Sequence, residues 1–197
     1  MIKFGIVPSI KETYKNQFEA SLDLKFKKFF KTINKKNEID IILDHNKVNN
    51  YKMVVISGGN DCRSFPKLKK KDLIRKKLTE EIIRKAIKLD KPILGICYGA
   101  QLIAKMYKSK LKYKKHLKAH KIFIKQKENK IKIVKVNSFH TTVIKKLGKD
   151  LELIATAEDK TIEAFRHKFN KIICVMWHPE RNKKIKDIDI NLIKKLC

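Results

Sequence analysis

The sequence predicts an α/β fold with a mostly parallel central sheet, helices on both of its faces, and added antiparallel strands in its C-terminal half. Three observations lead to this fold class. Short apolar runs alternate with longer amphipathic segments in the first half, as they do around parallel sheets. One of these runs meets a helical segment through a Gly-x-Cys-x-Gly turn centred on Cys97. Shorter segments with period-two alternation follow in the second half, which is typical of antiparallel strands.

The first half of the chain alternates strands with helices. Strands are predicted at 2–7, 39–43, 53–56 and 92–96, where apolar runs have the length of buried strands. Helices are predicted at 12–34, 72–89 and 101–107. The first of these rests on apolar residues at helical spacing, namely Phe18, Leu22, Phe26, Phe29, Phe30 and Ile33.

The second half changes character. Residues 121–125 and 130–136 alternate around a polar turn at Glu128 and Asn129, which indicates a hairpin. Further strands are predicted at 151–155, 161–165 and 171–177, and a last helix at 184–195. No linker or repeat interrupts the pattern, so the 197 residues are expected to form a single domain, 1–197.

The positive charge of the chain is large, +29 at pH 7, and it comes almost entirely from lysine, with only five arginines. Such a charge favours anionic partners, including nucleic acid. The lysines are scattered, however, without an arginine cluster or an aromatic stripe on which bases would stack. Compositional bias is therefore the preferred interpretation, and nucleic-acid binding is not expected. Attraction of an anionic substrate by a basic surface is a hypothesis that the salt dependence of the rate tests.

The apolar runs and the cysteines bear on cellular location. No run approaches the roughly 18 apolar residues of a membrane helix, and the N-terminus lacks the pattern of a signal peptide. We therefore expect a cytoplasmic protein without a membrane partner. Cys62, Cys97, Cys174 and Cys197 form no C-x-x-C pair, so reduced thiols are expected.

The Gly-x-Cys-x-Gly turn is the sharpest local feature. It follows the nucleophile-elbow pattern, with sulfur in place of the serine oxygen. The turn is tight, and side chains at Gly95 and Gly99 are expected to collide. The following helix N-terminus is expected to lower the pKa of the Cys97 thiol, and the Tyr98 N–H is expected to face a developing oxyanion. The alternative is a core cysteine between two packing glycines.

A thiolate nucleophile requires a base, and the base requires an orienting group. His178 and Glu180 supply both groups within a Trp-His-Pro-Glu segment that directly follows an apolar run. His178 is therefore expected at a strand end beside Cys97. The alternative, a surface turn that Pro179 also explains, loses weight once the elbow is considered with it.

Two further loops follow predicted strands. Gly58 and Gly59 permit close approach of the backbone to a ligand, and one N–H there is expected to complete an oxyanion hole; an ordinary turn is the alternative. The segment 137–140 is expected to line the same pocket, with a partly buried structural role as the alternative for His140. Cys62, beside the glycine loop, lacks an elbow and is interpreted as incidental.

His116 and His120 are four residues apart, a spacing that suits a metal pair on a helix. No third ligand accompanies them in the sequence. A surface position without a metal is therefore the preferred interpretation.

Four segments, 57–59, 95–101, 137–140 and 177–180, resemble the class I glutamine amidotransferase superfamily in identity and order. The γ-glutamyl hydrolase branch is indicated by the Asn-Ser-x-His segment, by Ile-Glu-Ala at 162–164, and by Trp rather than Phe before His178. Residues 20–23 also resemble small members found with nucleotide-sugar and capsule genes, which are associated with γ-glutamyl nucleotide amidates.

The resemblance implies a flavodoxin-like three-layer sandwich and hydrolysis of a γ-glutamyl amide through a thioester on Cys97. His178 is implied as the base, Glu180 as its orienting group, and the N–H groups of Gly59 and Tyr98 as the oxyanion hole. No cofactor or metal is implied. Substrate contacts are implied or expected at these residues: Gly58, Gln101, Ser138, Phe139, His140, Asn60, Asp61 and Arg63.

Two other functions stay open from the sequence. One is a glutaminase subunit that passes ammonia to a separate synthetase, because the chain contains no synthetase domain. The other is a binding module without activity, against which the intact Cys97, His178 and Glu180 argue. A small-molecule γ-glutamyl substrate and a monomer or homodimer are expected.

Overall fold

The computed structural model describes residues 2–60, 62, 68–125 and 130–196. Its strands are β1 (Ile2–Val7), β2 (Ser9–Tyr14), β3 (Gln17–Ser21), β4 (Asn37–Ile41), β5 (Met53–Ile56), β6 (Ile93–Ile96), β7 (Lys110–His116), β8 (His120–Lys125), β9 (Ile131–Val136), β10 (His140–Lys146), β11 (Leu151–Ala157), β12 (Ile162–His167) and β13 (Ile172–Val175). Its helices are α1 (Lys25–Ile33), α2 (Lys70–Lys88), α3 (Tyr98–Met106) and α4 (Asp187–Lys194). Short 3-10 turns lie at His45–Asn50 and Pro179–Arg181.

The parallel half of the sheet has the order β4-β1-β5-β6-β13. Counted along the chain, this is the 2-1-3-4-5 order of flavodoxin-like sheets. Every residue of β5, β6 and β13 is buried, because helices cover both faces of these strands and their sequences are continuously apolar. The predicted α/β, flavodoxin-like fold class is confirmed.

Antiparallel strands extend the sheet beyond β13, as predicted for the C-terminal half. β12, β11, β8 and β9 continue the order, and β10 joins β12 to β7. β8 and β9 form the hairpin that the alternation at 121–125 and 130–136 predicts. The polar pair expected in its turn, Glu128 and Asn129, lies outside the described residues. β7 and β10 were not predicted from the sequence. β7 is lysine-rich and carries no clear alternation of apolar and polar residues.

Helices pack on the two faces of the sheet in separate hydrophobic layers. α2 and α3 contribute apolar side chains to one layer, represented by Ile83 and Ile103. α1 and α4 contribute to the other layer, represented by Phe30 and Leu192. These layers give the three-layer sandwich. No helix within the described ranges combines the length and apolarity that crossing a bilayer requires.

The predicted helix at 12–34 is wrong in its first half. Residues 9–21 form a separate two-stranded ribbon of β2 and β3, and α1 begins only at Lys25. Asn16 takes a left-handed φ of 65° at the ribbon's turn, which interrupts any helix through that point. The side chain of Asn60 also accepts from the Ile10 N–H and donates to the Ile10 carbonyl, so a distant loop supports the extended backbone.

Candidate active site

The carboxyl edge of the parallel strands gathers the predicted functional segments. β5 leads into Ser57, β6 into Cys97, and β13 into the segment that carries His178. In open α/β sheets this edge is where ligands bind, because the loops from neighbouring strands meet there. The fold therefore brings together residues that lie far apart in the chain.

Cys97 occupies a strained turn between β6 and α3. Its φ and ψ are 50° and −99°, a backbone conformation uncommon for a residue with a side chain. A Cβ at Gly99 would lie 2.5 Å from the Ile56 carbonyl oxygen, and one at Gly95 would lie 2.8 Å from the Cys174 sulfur. Both glycines are therefore sterically required, which confirms the elbow geometry expected from the sequence.

The expected lowering of the Cys97 pKa is wrong. Burial raises the pKa of the thiol to about 12, and the nearby Glu180 carboxylate adds to the rise. The Tyr98 backbone N–H, which donates toward the sulfur, and the Arg181 cation act in the opposite direction but do not offset burial. The helix N-terminus alone predicts a lower pKa, whereas the thiol is only 7% exposed and its desolvation dominates. The resting thiol is protonated, so attack requires a base.

His178 and Glu180 form a close buried pair. The Nδ1 of His178 lies 2.7 Å from Oε1 of Glu180, and the two residues are 2% and 4% exposed. The surface-turn alternative for this segment is therefore wrong. Asn137 holds the backbone of His178 from both sides: its Oδ1 accepts from the His178 N–H and its Nδ2 donates to the His178 carbonyl, each at 2.8 Å. The position of the imidazole is thus set by its carboxylate and by its backbone.

Gly58 and Phe139 enclose the His178 ring. A Cβ at Gly58 would lie 2.4 Å from Cε1 of His178, so only glycine leaves room for the ring in this position. The Phe139 ring stands edge-on to the imidazole with 5.7 Å between centroids, and Arg181 lies 5.1 Å over the Phe139 ring. The imidazole therefore has little freedom to rotate.

The glycine loop is held from beneath by Arg75, a residue that no sequence motif singled out. Gly59 takes a φ of 95°, and a Cβ there would lie 2.7 Å from Cβ of Ser9. Arg75 is fully buried, and its Nη2 donates to the carbonyl and the hydroxyl of Ser57 at 3.3 Å. Its guanidinium also lies 5.2 Å over the Tyr98 ring, and burial lowers its pKa to about 10. The sequence does carry one signal that could have identified Arg75, namely the rarity of arginine in this lysine-rich chain.

A pocket of about 310 Å³ opens at this edge. Its lining includes residues from all four motifs, among them Gly59, Cys97, Gln101, Phe139 and His178. A larger cavity of about 1040 Å³ lies between β11, β13 and α4, and no cysteine is among the described residues that line it. The smaller pocket is therefore the candidate active site.

Several residues expected to contact substrate use their side chains in the fold. Asn60 lines the pocket, but its amide bonds to the backbone of Ile10 and to Asp72. Gln101 donates from Nε2 to the Thr142 carbonyl and accepts from the Cys62 thiol, so Cys62 is a neighbour of the pocket and not incidental.

Two of the other residues expected to contact substrate also use their side chains in the fold, whereas Phe139 faces the pocket. Ser138 is buried and donates to the His116 carbonyl at 2.6 Å, while Phe139 faces the pocket. The His140 side chain is buried, and its Nδ1 donates to the Thr142 carbonyl, although the residue also lines the pocket. Asp61 and Arg63 lie outside the described residues.

The expectation that His116 and His120 lack a third ligand is wrong, although both residues are partly exposed. Their ring nitrogens face the fully buried carboxylate of Glu163, and the three ligand atoms lie within 4.8 Å of one another. His140 faces the same carboxylate from β10. No local pattern indicates this grouping, because Glu163 comes from a strand more than forty residues away.

Comparison with known proteins agrees with this site. The family model described as glutamine amidotransferase class-I matches residues 11–191. The chain therefore belongs to the class I glutamine amidotransferase family. A γ-glutamyl-CDP-amidate hydrolase of Campylobacter jejuni is 41% identical over 143 residues, 71% of this chain and 67% of that protein. This similarity supports the γ-glutamyl hydrolase branch, and with the family match it supports the assignment as a hydrolase.

Other relatives agree with the family and the fold. A putative glutamine amidotransferase-like protein of Lactococcus lactis is 32% identical over 157 residues, which are 64% of this chain and 65% of that protein. The aligned stretches thus span about two thirds of these two relatives. The crystal structure of a putative GMP synthase subunit from Thermoplasma acidophilum superposes with a TM-score of 0.74 at 20% identity, covering 100% of this chain and 92% of that one. It supports the fold alone.

Proposed function

We propose that the chain hydrolyses a γ-glutamyl amide bond through a glutamyl thioester on Cys97. One observation carries the proposal: the strained elbow cysteine and the buried His178–Glu180 pair line or border the same 310 Å³ pocket. A nucleophile, a base and an orienting carboxylate in one pocket are the components of acyl transfer.

The reaction proceeds in two acyl-transfer steps. His178 takes the proton of the Cys97 thiol as the sulfur attacks the γ-carbonyl carbon. The tetrahedral intermediate then collapses, the C–N bond breaks, and the amine leaves with the proton from His178. Water, deprotonated by the same imidazole, attacks the thioester and releases glutamate and the free thiol. Because burial raises the pKa of the thiol to about 12, this base is required and not optional.

Two backbone N–H groups are proposed as the oxyanion hole. The Tyr98 N–H already donates toward the Cys97 sulfur. It is therefore close to the position proposed for the substrate carbonyl that the sulfur attacks. Gly59 lines the same pocket with a φ of 95°, and Arg75 supports the loop before it. N–H groups fixed in this way stabilise the oxyanion without reorganising during the reaction.

The glutamyl group and the leaving group are proposed to occupy different walls. The backbone of 138–140, the Gln101 region and the glycine loop, with Asp61 and Arg63 beyond it, are proposed to hold the glutamyl part. The leaving group is proposed to be a nucleotide amidate, on the similarity to the Campylobacter jejuni γ-glutamyl-CDP-amidate hydrolase. The net charge of +29 favours such an anionic substrate.

Glutamate release from a panel of substrates tests the proposal. The panel contains glutamine, γ-glutamyl-γ-aminobutyrate and a γ-glutamyl nucleotide amidate, each with wild-type protein and with Cys97→Ala. Cys174→Ala is the matched control, because it removes another buried thiol, one that does not line the pocket. The expected result is turnover of the nucleotide amidate at least tenfold above glutamine, lost only in Cys97→Ala. Turnover retained in Cys97→Ala refutes the thioester.

The panel also separates the second candidate function. A glutaminase subunit would turn over glutamine alone, or nothing until a synthetase is added. That result would reassign the leaving group to ammonia while keeping the same cysteine chemistry.

A further inference from the structure

A cluster of three imidazoles surrounds one carboxylate beside the candidate active site. Its members, here called the His–Glu cluster, are His116, His120, His140 and Glu163. Glu163 is fully buried in β12, and its Oε1 lies 3.5, 3.4 and 3.6 Å from the facing nitrogens of the three histidines. Among the described residues, neither carboxylate oxygen and none of the three facing nitrogens has a hydrogen-bond partner. A buried carboxylate in this condition is strongly unfavourable unless something else satisfies it.

The distances within the cluster suit a shared ion better than hydrogen bonds. Separations of 3.4 to 3.6 Å exceed the usual N–H···O range of about 2.7–3.2 Å. Two ligands held about 2.0–2.1 Å from a tetrahedral zinc ion stand about 3.3–3.4 Å apart. The ligand atoms of His116, His120 and Glu163 all lie within 4.8 Å of one another. Closing the upper limit of 4.8 Å to about 3.3–3.4 Å requires each ligand atom to shift by less than about 1 Å.

The outer nitrogens of the three rings are oriented as in metal-bound histidines. Each faces an oxygen on the side away from Glu163: His116 Nε2 faces Asp159 Oδ2 at 3.0 Å, His120 Nδ1 faces the Lys118 carbonyl at 3.3 Å, and His140 Nδ1 faces the Thr142 carbonyl at 3.1 Å. An N–H donated outward leaves a lone pair on the inner nitrogen. Ligating histidines are held in this way by a carboxylate or a backbone carbonyl.

We propose that the His–Glu cluster binds one zinc ion. Imidazole nitrogens with a carboxylate suit zinc and related transition ions, whereas Ca²⁺ and Mg²⁺ prefer oxygen ligands. We assign His140, which faces the same carboxylate at 3.6 Å, as the fourth ligand beside His116, His120 and Glu163. A full set of four protein ligands makes the site structural and not catalytic. His116 and His120 line a surface cavity of about 430 Å³, which gives the ion a path to the site.

The zinc ion would tie four strands together behind the pocket wall. Its ligands come from β7, β8, β10 and β12, and His116 is the cross-strand partner of His140. Ser138, two residues before His140, donates to the His116 carbonyl. The ion therefore fixes the start of the segment whose Phe139 encloses the His178 ring. This assignment holds whether or not the proposed hydrolysis is correct.

Metal content of the full chain, purified without a polyhistidine tag and without chelator, tests the proposal. Elemental analysis is expected to give about one zinc per wild-type chain, and at least tenfold less in His120→Ala. His120 is chosen because it lies at the partly exposed rim of the cluster, so the variant is expected to fold. His45→Ala is the matched control, since His45 is a partly exposed histidine that also faces a carboxylate, that of Glu81. Equal zinc in wild type and His120→Ala would overturn the proposal.

A second measurement uses the wild-type chain, so its main result does not depend on whether a cluster variant folds. Wild-type chain stripped with a chelator and titrated with CoCl₂ is expected to develop visible d–d bands that saturate at one equivalent. Cys97→Ala is expected to show the same bands, because the site contains no cysteine. Absence of stoichiometric cobalt and zinc uptake by the wild-type chain, or bands lost in Cys97→Ala, would overturn the site.

Discussion

Alanine at Gly58 tests whether the fit of the His178 ring controls turnover. The added Cβ would lie 2.4 Å from Cε1 of the imidazole, whereas ordinary contacts begin at 3.4 Å, so the ring must move by about 1 Å. The ring cannot move freely, because Glu180 holds its Nδ1 and Asn137 holds its backbone. A displacement of about 1 Å in a catalytic group costs about 100-fold in rate.

The stability of the same variant provides the control. The φ of Gly58 lies outside the left-handed region, so alanine fits the backbone and the cost is confined to the ring contact. We expect a loss of about 1–3 kcal/mol in the free energy of unfolding, as for other overpacked sites. Urea unfolding and glutamate release are measured on one preparation. Wild-type turnover in a folded Gly58→Ala protein would show that the ring position is not limiting, and the reasoning would be refuted.

Three further outcomes follow from the same contacts. Glu180→Gln is expected to lower kcat by about 10²- to 10⁴-fold without unfolding the chain, because the amide no longer orients and stabilises His178; an unchanged kcat contradicts this. The Cys97 pKa is raised from 9.0 to about 12, so its contribution to stability is present below pH 9 and is lost as pH rises toward 12. Between pH 8 and 10, the free energy of unfolding measured in urea should therefore fall by about 1 kcal/mol more in wild type than in Cys97→Ala. An equal pH dependence of the two proteins contradicts the raised pKa. Asn60→Ala removes three hydrogen bonds to the ribbon and to Asp72, and should cost about 1–3 kcal/mol and speed hydrogen exchange in residues 9–21; unchanged exchange contradicts the anchoring role.

The elbow could be predicted from the sequence because its pattern is local. A strand, a tight turn and a helix follow one another within ten residues, although the closest atoms that Gly95 and Gly99 must avoid belong to Cys174 and Ile56 on neighbouring strands. The parallel strands were similarly evident, since burial on both faces demands continuous apolar runs. The assignment of 1–197 to one domain and the roles of the site residues stay predictions.

The ribbon at 9–21 illustrates where local patterns mislead. Phe18 and Leu22 continue the helical spacing of Phe26 and Phe30, yet only the latter two lie in α1. Spacing reports which residues share a face if a helix forms, but it does not report a competing tertiary contact. Asn60 provides that contact by pairing with the Ile10 backbone.

Identity and chain order of the residues therefore determined the fold class, the elbow and the membership of His178 and Glu180 in one site. The protonation state of Cys97 and the grouping of His116, His120 and Glu163 were decided only in three dimensions. Desolvation depends on every atom packed around a group, and convergence of side chains depends on strand order and register. Neither quantity is a property of neighbouring residues in the chain. The sequence therefore predicted a lowered pKa for Cys97 and two histidines without a third ligand, where the structure has a buried thiol and a buried carboxylate surrounded by imidazoles.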